Sequence, residues 1–130
     1  MWNGWLVADI FFGSDGRAKF PTKHHGEMSL SQAKWDQICG QPERYYYRLN
    51  GDKIATTLVA PDMVRHHASI ASQYFYYKRF EKFTLAEGIE AAVPSAKLMV
   101  VVVDTATRRV CTVYPTDKPK AGSQEYKPDG

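Results

Sequence analysis

The stretch at residues 98–115, LMVVVVDTATRRVCTVYP, constrains this chain more than any other. Val100, Val101, Val102 and Val103 are four β-branched apolar residues in a row, the pattern of a strand covered on both faces. The polar residues 104–107 make a turn. The return strand alternates, so Cys111 and Val113 are expected on one face and Arg108, Val110, Thr112 and Tyr114 on the other. One face reads as core. The other, with a cation, a hydroxyl and a phenol in a row, is either a solvated face or the floor of a site. Such a hairpin needs partner strands beside it.

Those partners are sought upstream. MVRHHA at residues 63–68 and QYFYYKRFEKF at residues 73–83 read as two strands. In the second, Tyr74, Tyr76, Lys78 and Phe80 face one way, and Phe75, Tyr77 and Arg79 the other. Both faces are aromatic, which suits an inner strand. Ser29 with Gln32 forms a capping-box pattern ahead of Leu30, Ala33, Trp35 and Ile38, so a helix is expected there, stopped by Gly40 and Pro42. Asn50-Gly51 is a tight-turn signal. Residues 53–59 after it fit either the second strand of a hairpin or a short helix capped by Asp52. Leu85, Ile89 and Ala92 have helical spacing within residues 84–93, and Pro94 ends that segment. Pro21 and Gly26 argue against regular structure at residues 20–28. Residues 5–12 read as a short strand or arm. The expected fold is α+β, with N-terminal helices on one face of a four-stranded antiparallel sheet. Residues 1–114 form one domain, and residues 115–130, polar with three prolines and three lysines, form a trailing arm.

Composition narrows the function classes. At 130 residues, 44% hydrophobic and 24% charged, the chain has the make-up of a soluble globular protein. No apolar run approaches the roughly 20 residues needed to span a bilayer. The first residues, with Asp9 interrupting the apolar stretch, lack the pattern of a signal peptide, so a cytoplasmic protein, or a module cut from a longer protein, is expected. Net charge is +3, which permits an anionic partner. Cys39 and Cys111 lack metal-site spacing and read as free thiols. The adjacent His24 and His25 have no third ligand at a recognisable spacing, so no metal and no cofactor is expected.

One face of the expected sheet gathers chemistry. Arg65, His66 and His67 come from one strand, Tyr76, Tyr77, Lys78 and Arg79 from the next, and Arg108, Thr112 and Tyr114 from the last. Cations for phosphate and rings for stacking on unpaired bases suit RNA. The same mixture suits RNA cleavage without a metal, which needs a base for the 2′-OH, an acid for the leaving oxygen and a cation on the phosphate. The plain alternative is half-buried tyrosines and solvated cations.

Residues 54–122 carry a series of short motifs in order: Thr57-Leu58, Pro61-Asp62 and Val64, then Tyr76-Tyr77-Lys78, the Val100 run, Val110-x-Thr112-x-Tyr114-Pro115, and Lys118-Pro119-Lys120-x-Gly122. In this order they resemble the phage and toxin branch of the barnase/EndoU/colicin/RelE-like nuclease superfamily. The resemblance places Thr57-Leu58 in a helix before the sheet. It implies a toxin-type ribonuclease acting on tRNA or another structured RNA. An immunity or antitoxin protein is a possible partner, and neither a membrane nor specific DNA recognition is expected. Catalytic roles would fall to His66, His67, Thr112, Lys78 and Glu43. RNA-binding roles would fall to Arg44, Arg65, Tyr77, Arg79, Arg108 and Tyr114. Gln37 and Gln41 depart from the pattern, because they stand where the family has histidines. Glutamine cannot carry a proton at neutral pH, so the same resemblance also implies a non-catalytic module that binds RNA or a protein partner.

Overall fold

The computed structural model describes residues 10, 12–41, 47–48, 50–86, 89–91, 97–120 and 123–126. The fold is α+β, and its main sheet has seven strands rather than four. In chain order come β1 (Arg17–Thr22), β2 (Gly26–Ser31), α1 (Gln32–Ile38), α2 (Asp52–Val59), β3 (Met63–His66) and β4 (Gln73–Arg79). They are followed by β5 (Phe83–Ala86), β6 (Ile89–Ala91), β7 (Leu98–Asp104), β8 (Arg109–Thr116) and β9 (Gln124–Glu125). The sheet runs β1-β2-β8-β7-β4-β3-β9. Every pairing in it is antiparallel except a short parallel contact between β2 and β8, where Ser29 stands opposite Arg109.

β7 is the middle strand, as the valine run predicts. Val101 and Val103 look toward the helices and pack with Trp35, Ile54, Leu58, Tyr76, Val110 and Val113. Val100 and Val102 look outward and pack with Phe75, Tyr77, Cys111 and Tyr114. All four valines are buried. Each contributes roughly 1.5–3 kcal/mol of apolar burial, so neither face of β7 tolerates a polar residue.

The expected facing of β8 is corrected by a bulge. Val102 pairs with Thr112, but Val103 pairs with Val110, so the register slips by one residue at Cys111. Val110 therefore joins Val113 on the helix face, and Cys111 joins Thr112 and Tyr114 on the outer face. An added residue of this kind cannot be read from alternation, because it breaks the alternation.

The helix after Ser29 starts two residues later than the capping box suggests. Ser31 is the cap, and its hydroxyl accepts from the Lys34 amide at 3.1 Å. Met28 and Leu30 are buried at strand spacing in β2 instead, which outweighs the helical spacing from Leu30. Residues 20–28, expected to be irregular, form most of the β1–β2 hairpin, with Gly26 supplying the positive φ at its corner. Residues 53–59 lie in α2, which buries Ile54, Thr57 and Leu58. The segment expected as a helix within residues 84–93 is instead the small β5–β6 hairpin, a separate two-stranded sheet. The short apolar spacing there fits either periodicity, and pairing decides it.

The C-terminal arm is partly structured. β8 runs through Thr116, and β9 adds to the far edge beside β3. Between them the chain crosses the outer face. There the Lys120 amide donates to the Tyr77 hydroxyl at 2.9 Å, and Arg65 Nε donates to Ser123 Oγ at 2.7 Å. Among the described residues no helix is long and apolar enough to cross a membrane.

Candidate functional site

The outer face does not assemble the cleavage residues expected on it. Tyr77 and Val100 are fully buried there, with the arm lying over Tyr77. Tyr77 therefore presents no ring for a base to stack on. Arg65 donates to the hydroxyl and the carbonyl of Ser123, so its guanidinium fastens the arm. Thr112 and Tyr114 are half-buried on this face, opposite Val102 and Val100. Burial, and after it the neighbouring Tyr77, pushes the Tyr114 phenol above its usual range.

Lys78 lies on the opposite face from Thr112. Its ammonium donates to the Ala60 carbonyl at 2.9 Å and sits 3.8 Å from Asp62. His66, paired with Tyr74, is also on the helix face. His67 holds a turn, because its Nδ1 accepts from the Ser69 and Ile70 amides, each at 3.0 Å. Neither histidine hydrogen-bonds Thr112 or Lys78. Arg79 is exposed at the end of β4, with its amide bonded to Asp62. Glu43 and Arg44 lie outside the described residues. Gln37 and Gln41 are exposed.

A different group of residues converges at the seam where the β1–β2 hairpin meets β8. Along β1, Ala18 and Phe20 are buried, so Arg17 and Lys19 point outward. Along β2, Met28 and Leu30 are buried, and Ser29 and Ser31 share the outward side. Lys19, Ser29 and Arg109 stand in register across three strands, and Arg17 stands opposite Ser31. Lys34 reaches the same place from the first turn of α1. Together Arg17, Ser29, Ser31, Lys34, Thr107, Arg109, Val110 and Cys111 line a cavity of about 340 Å³.

Charge in this cavity is one-sided. Among the described residues no carboxylate comes within 4 Å of the Arg17, Lys34 or Arg109 side chains. Asp104 is the register partner of Arg109, but its Oδ1 accepts from the Ala106 and Thr107 amides at 2.8 and 3.3 Å. Burial raises the Cys111 thiol above its ordinary range, Asp104 adds to that rise, and Lys34 opposes it. Cys111 is therefore a neutral thiol at physiological pH and a poor nucleophile. The lining offers cations and hydroxyls, which hold an anion, and no imidazole or carboxylate to move a proton.

Arg108 secures the seam. It adopts φ +57°, unusual for a residue with a side chain. Its carbonyl accepts from the Ser29 amide at 3.0 Å, and its guanidinium donates to the His25 carbonyl at 3.4 Å. The strain is held because this one residue stitches the β7–β8 turn to the middle of β2 and to the residue just before it. Sequence reading placed Arg108 in a binding row with Thr112 and Tyr114, whereas it sits in the turn beside β2.

Arg17, Lys34 and Arg109 were missed by sequence reading. Alternation in RAKF and EMSLS was the available signal for two strands with an outward polar row. Their meeting with Arg109 depends on the β2–β8 contact, which no local pattern announces.

Comparison of the chain with family models, with curated proteins and with solved structures gave no match.

Proposed function

We propose that this protein is a non-catalytic RNA-binding module that holds phosphate at the seam between the β1–β2 hairpin and β8. One observation carries the reading: Arg17, Lys34 and Arg109, from three separate elements, converge on one cavity, and no carboxylate among the described residues lies within 4 Å of them. Guanidinium forks match phosphate oxygens in pairs, and unpaired cations facing one cavity repel each other until an anion arrives. RNA is the favoured anion because the chain resembles a ribonuclease superfamily in its motif order. The scatter of His66, Lys78 and Thr112 over two faces supports binding over cutting. So do Gln37 and Gln41 at the expected histidine positions.

The test is a titration of labelled single-stranded RNA at several salt concentrations, with a gel of the recovered RNA in EDTA. Phosphate held by these cations makes affinity fall as salt rises, with log affinity losing about 0.7 per unit of log salt for each phosphate contacted. The RNA is expected to stay intact. Salt-independent binding, or none, contradicts the reading. Cleavage abolished by His66→Ala or Thr112→Ala contradicts its non-catalytic part.

A further inference from the structure

We infer that the seam pocket is an end-binding site, taking the terminal phosphomonoester of an RNA strand rather than a phosphodiester within it. The inference rests on the RNA-binding reading above and narrows it to one chemical group. Charge is the first reason. A phosphomonoester carries about −1.5 to −2 near neutral pH, whereas each internal diester carries a single charge. Three cations line one cavity of about 340 Å³ with no ion-pair partner among the described residues, a charge better met by the former than by the latter.

Shape is the second reason. Val110, only 2% exposed, is among the lining residues, so the cavity reaches down to the buried layer of the sheet, a shape that suits the end of a strand. The third reason is the neighbouring cavity, of about 540 Å³. It shares Arg17, Ser29 and Thr107 with the first and adds Lys19, Arg108, Asp15 and Glu27. Its two carboxylates repel phosphate, but they accept hydrogen bonds from a ribose hydroxyl or a base amino group. The two cavities together present a cationic end followed by a mixed, acceptor-bearing groove. That order fits a terminal phosphate followed by its own nucleoside.

The experiment measures the affinity of the full chain for one short single-stranded RNA in three forms: 5′-phosphate, 3′-phosphate, and hydroxyl at both ends. One phosphorylated form is expected to bind about tenfold more tightly than the hydroxyl form, as charge-assisted hydrogen bonds allow. Which form gains identifies the end. Arg17→Gln and Lys34→Gln, both outward-facing changes, are expected to reduce that gain to about twofold. Lys82→Gln, an exposed change away from the seam, keeps it. RNA binding with equal affinity for all three forms overturns the end-binding inference and leaves the RNA-binding reading standing. An equal gain from either phosphate also overturns it, because that is non-specific charge. Failure of every form to bind overturns both.

Discussion

His25 Nδ1 lies 2.5 Å from the Tyr76 hydroxyl, tying the tip of the β1–β2 hairpin to the middle of β4. The imidazole also tilts over Tyr74 at 4.0 Å and meets Tyr126 at 5.0 Å, so both edges of the sheet come together around one ring. Burial lowers the His25 pKa from its ordinary 6.5, and neighbouring His24 lowers it further. Burial raises the phenol of its partner Tyr76 above the usual range, so that hydroxyl offers no negative charge to the ring. Between the lower folded value and 6.5 the unfolded chain binds the proton more readily, so stability rises with pH across that window. The contribution is fully present above 6.5 and is lost as pH falls toward the folded value. Urea midpoints measured on both sides of pH 6.5 are expected to drop on the acid side, and His25→Phe is expected to flatten that drop. An equally steep drop in the variant counts against this assignment.

Asn50 offers a prediction of stability. Its side-chain amide donates to the Thr84 carbonyl and accepts from the Thr84 amide, both at 2.8 Å, and the residue is 1% exposed. The side chain thus acts as a strand partner for the start of β5. Asn50→Ala strips partners from two backbone groups, and a loss of about 2–4 kcal/mol is expected from denaturant unfolding. A loss within experimental error shows that water replaces the amide freely.

Two glycines separate backbone strain from crowding. Gly16 and Gly26 both have positive φ, +75° and +73°. A Cβ at Gly16 meets nothing within 4 Å, whereas a Cβ at Gly26 falls 2.5 Å from the Arg108 guanidinium. Gly16→Ala is expected to cost about 1–2 kcal/mol, the backbone penalty alone. Gly26→Ala is expected to cost more, and Arg108→Ala in the same chain to recover the excess. Equal costs at the two positions mean that the guanidinium simply moves aside.

The centre of the fold was legible because its signals are local. A run of four valines marks the middle strand, and alternation along residues 73–79 marks both faces of β4. What was not legible depends on contacts distant in sequence. The bulge at Cys111 reverses part of the expected facing of β8. The β5–β6 hairpin shows an apolar spacing that a helix would share. The outer face looked open because composition alone does not reveal that Lys120 and Ser123 return across it to Tyr77 and Arg65. Arg65 and Tyr77 were read as ligands for RNA, and their polar groups bond the chain's own C-terminal arm.

That arm can be tested directly. Arg65 donates to Ser123 Oγ at 2.7 Å and to the Ser123 carbonyl, and Ser123 is 7% exposed. Arg65→Met keeps much of the stem and removes the donors. A loss of about 1.5–3 kcal/mol is expected, with faster hydrogen exchange at Ser123 and Tyr126 and unchanged exchange along β7. Unaltered exchange at Ser123 means that β9 pairing alone holds the arm.

The central claim concerns where RNA touches the protein, and amide chemical-shift mapping during an RNA titration tests it most directly. The largest shifts are expected at Arg17, Ser29, Ser31, Lys34, Thr107 and Arg109, around the seam pocket. Largest shifts at Arg79, Thr112 and Tyr114, with the seam unchanged, would contradict the account and return the binding site to the outer face of the sheet.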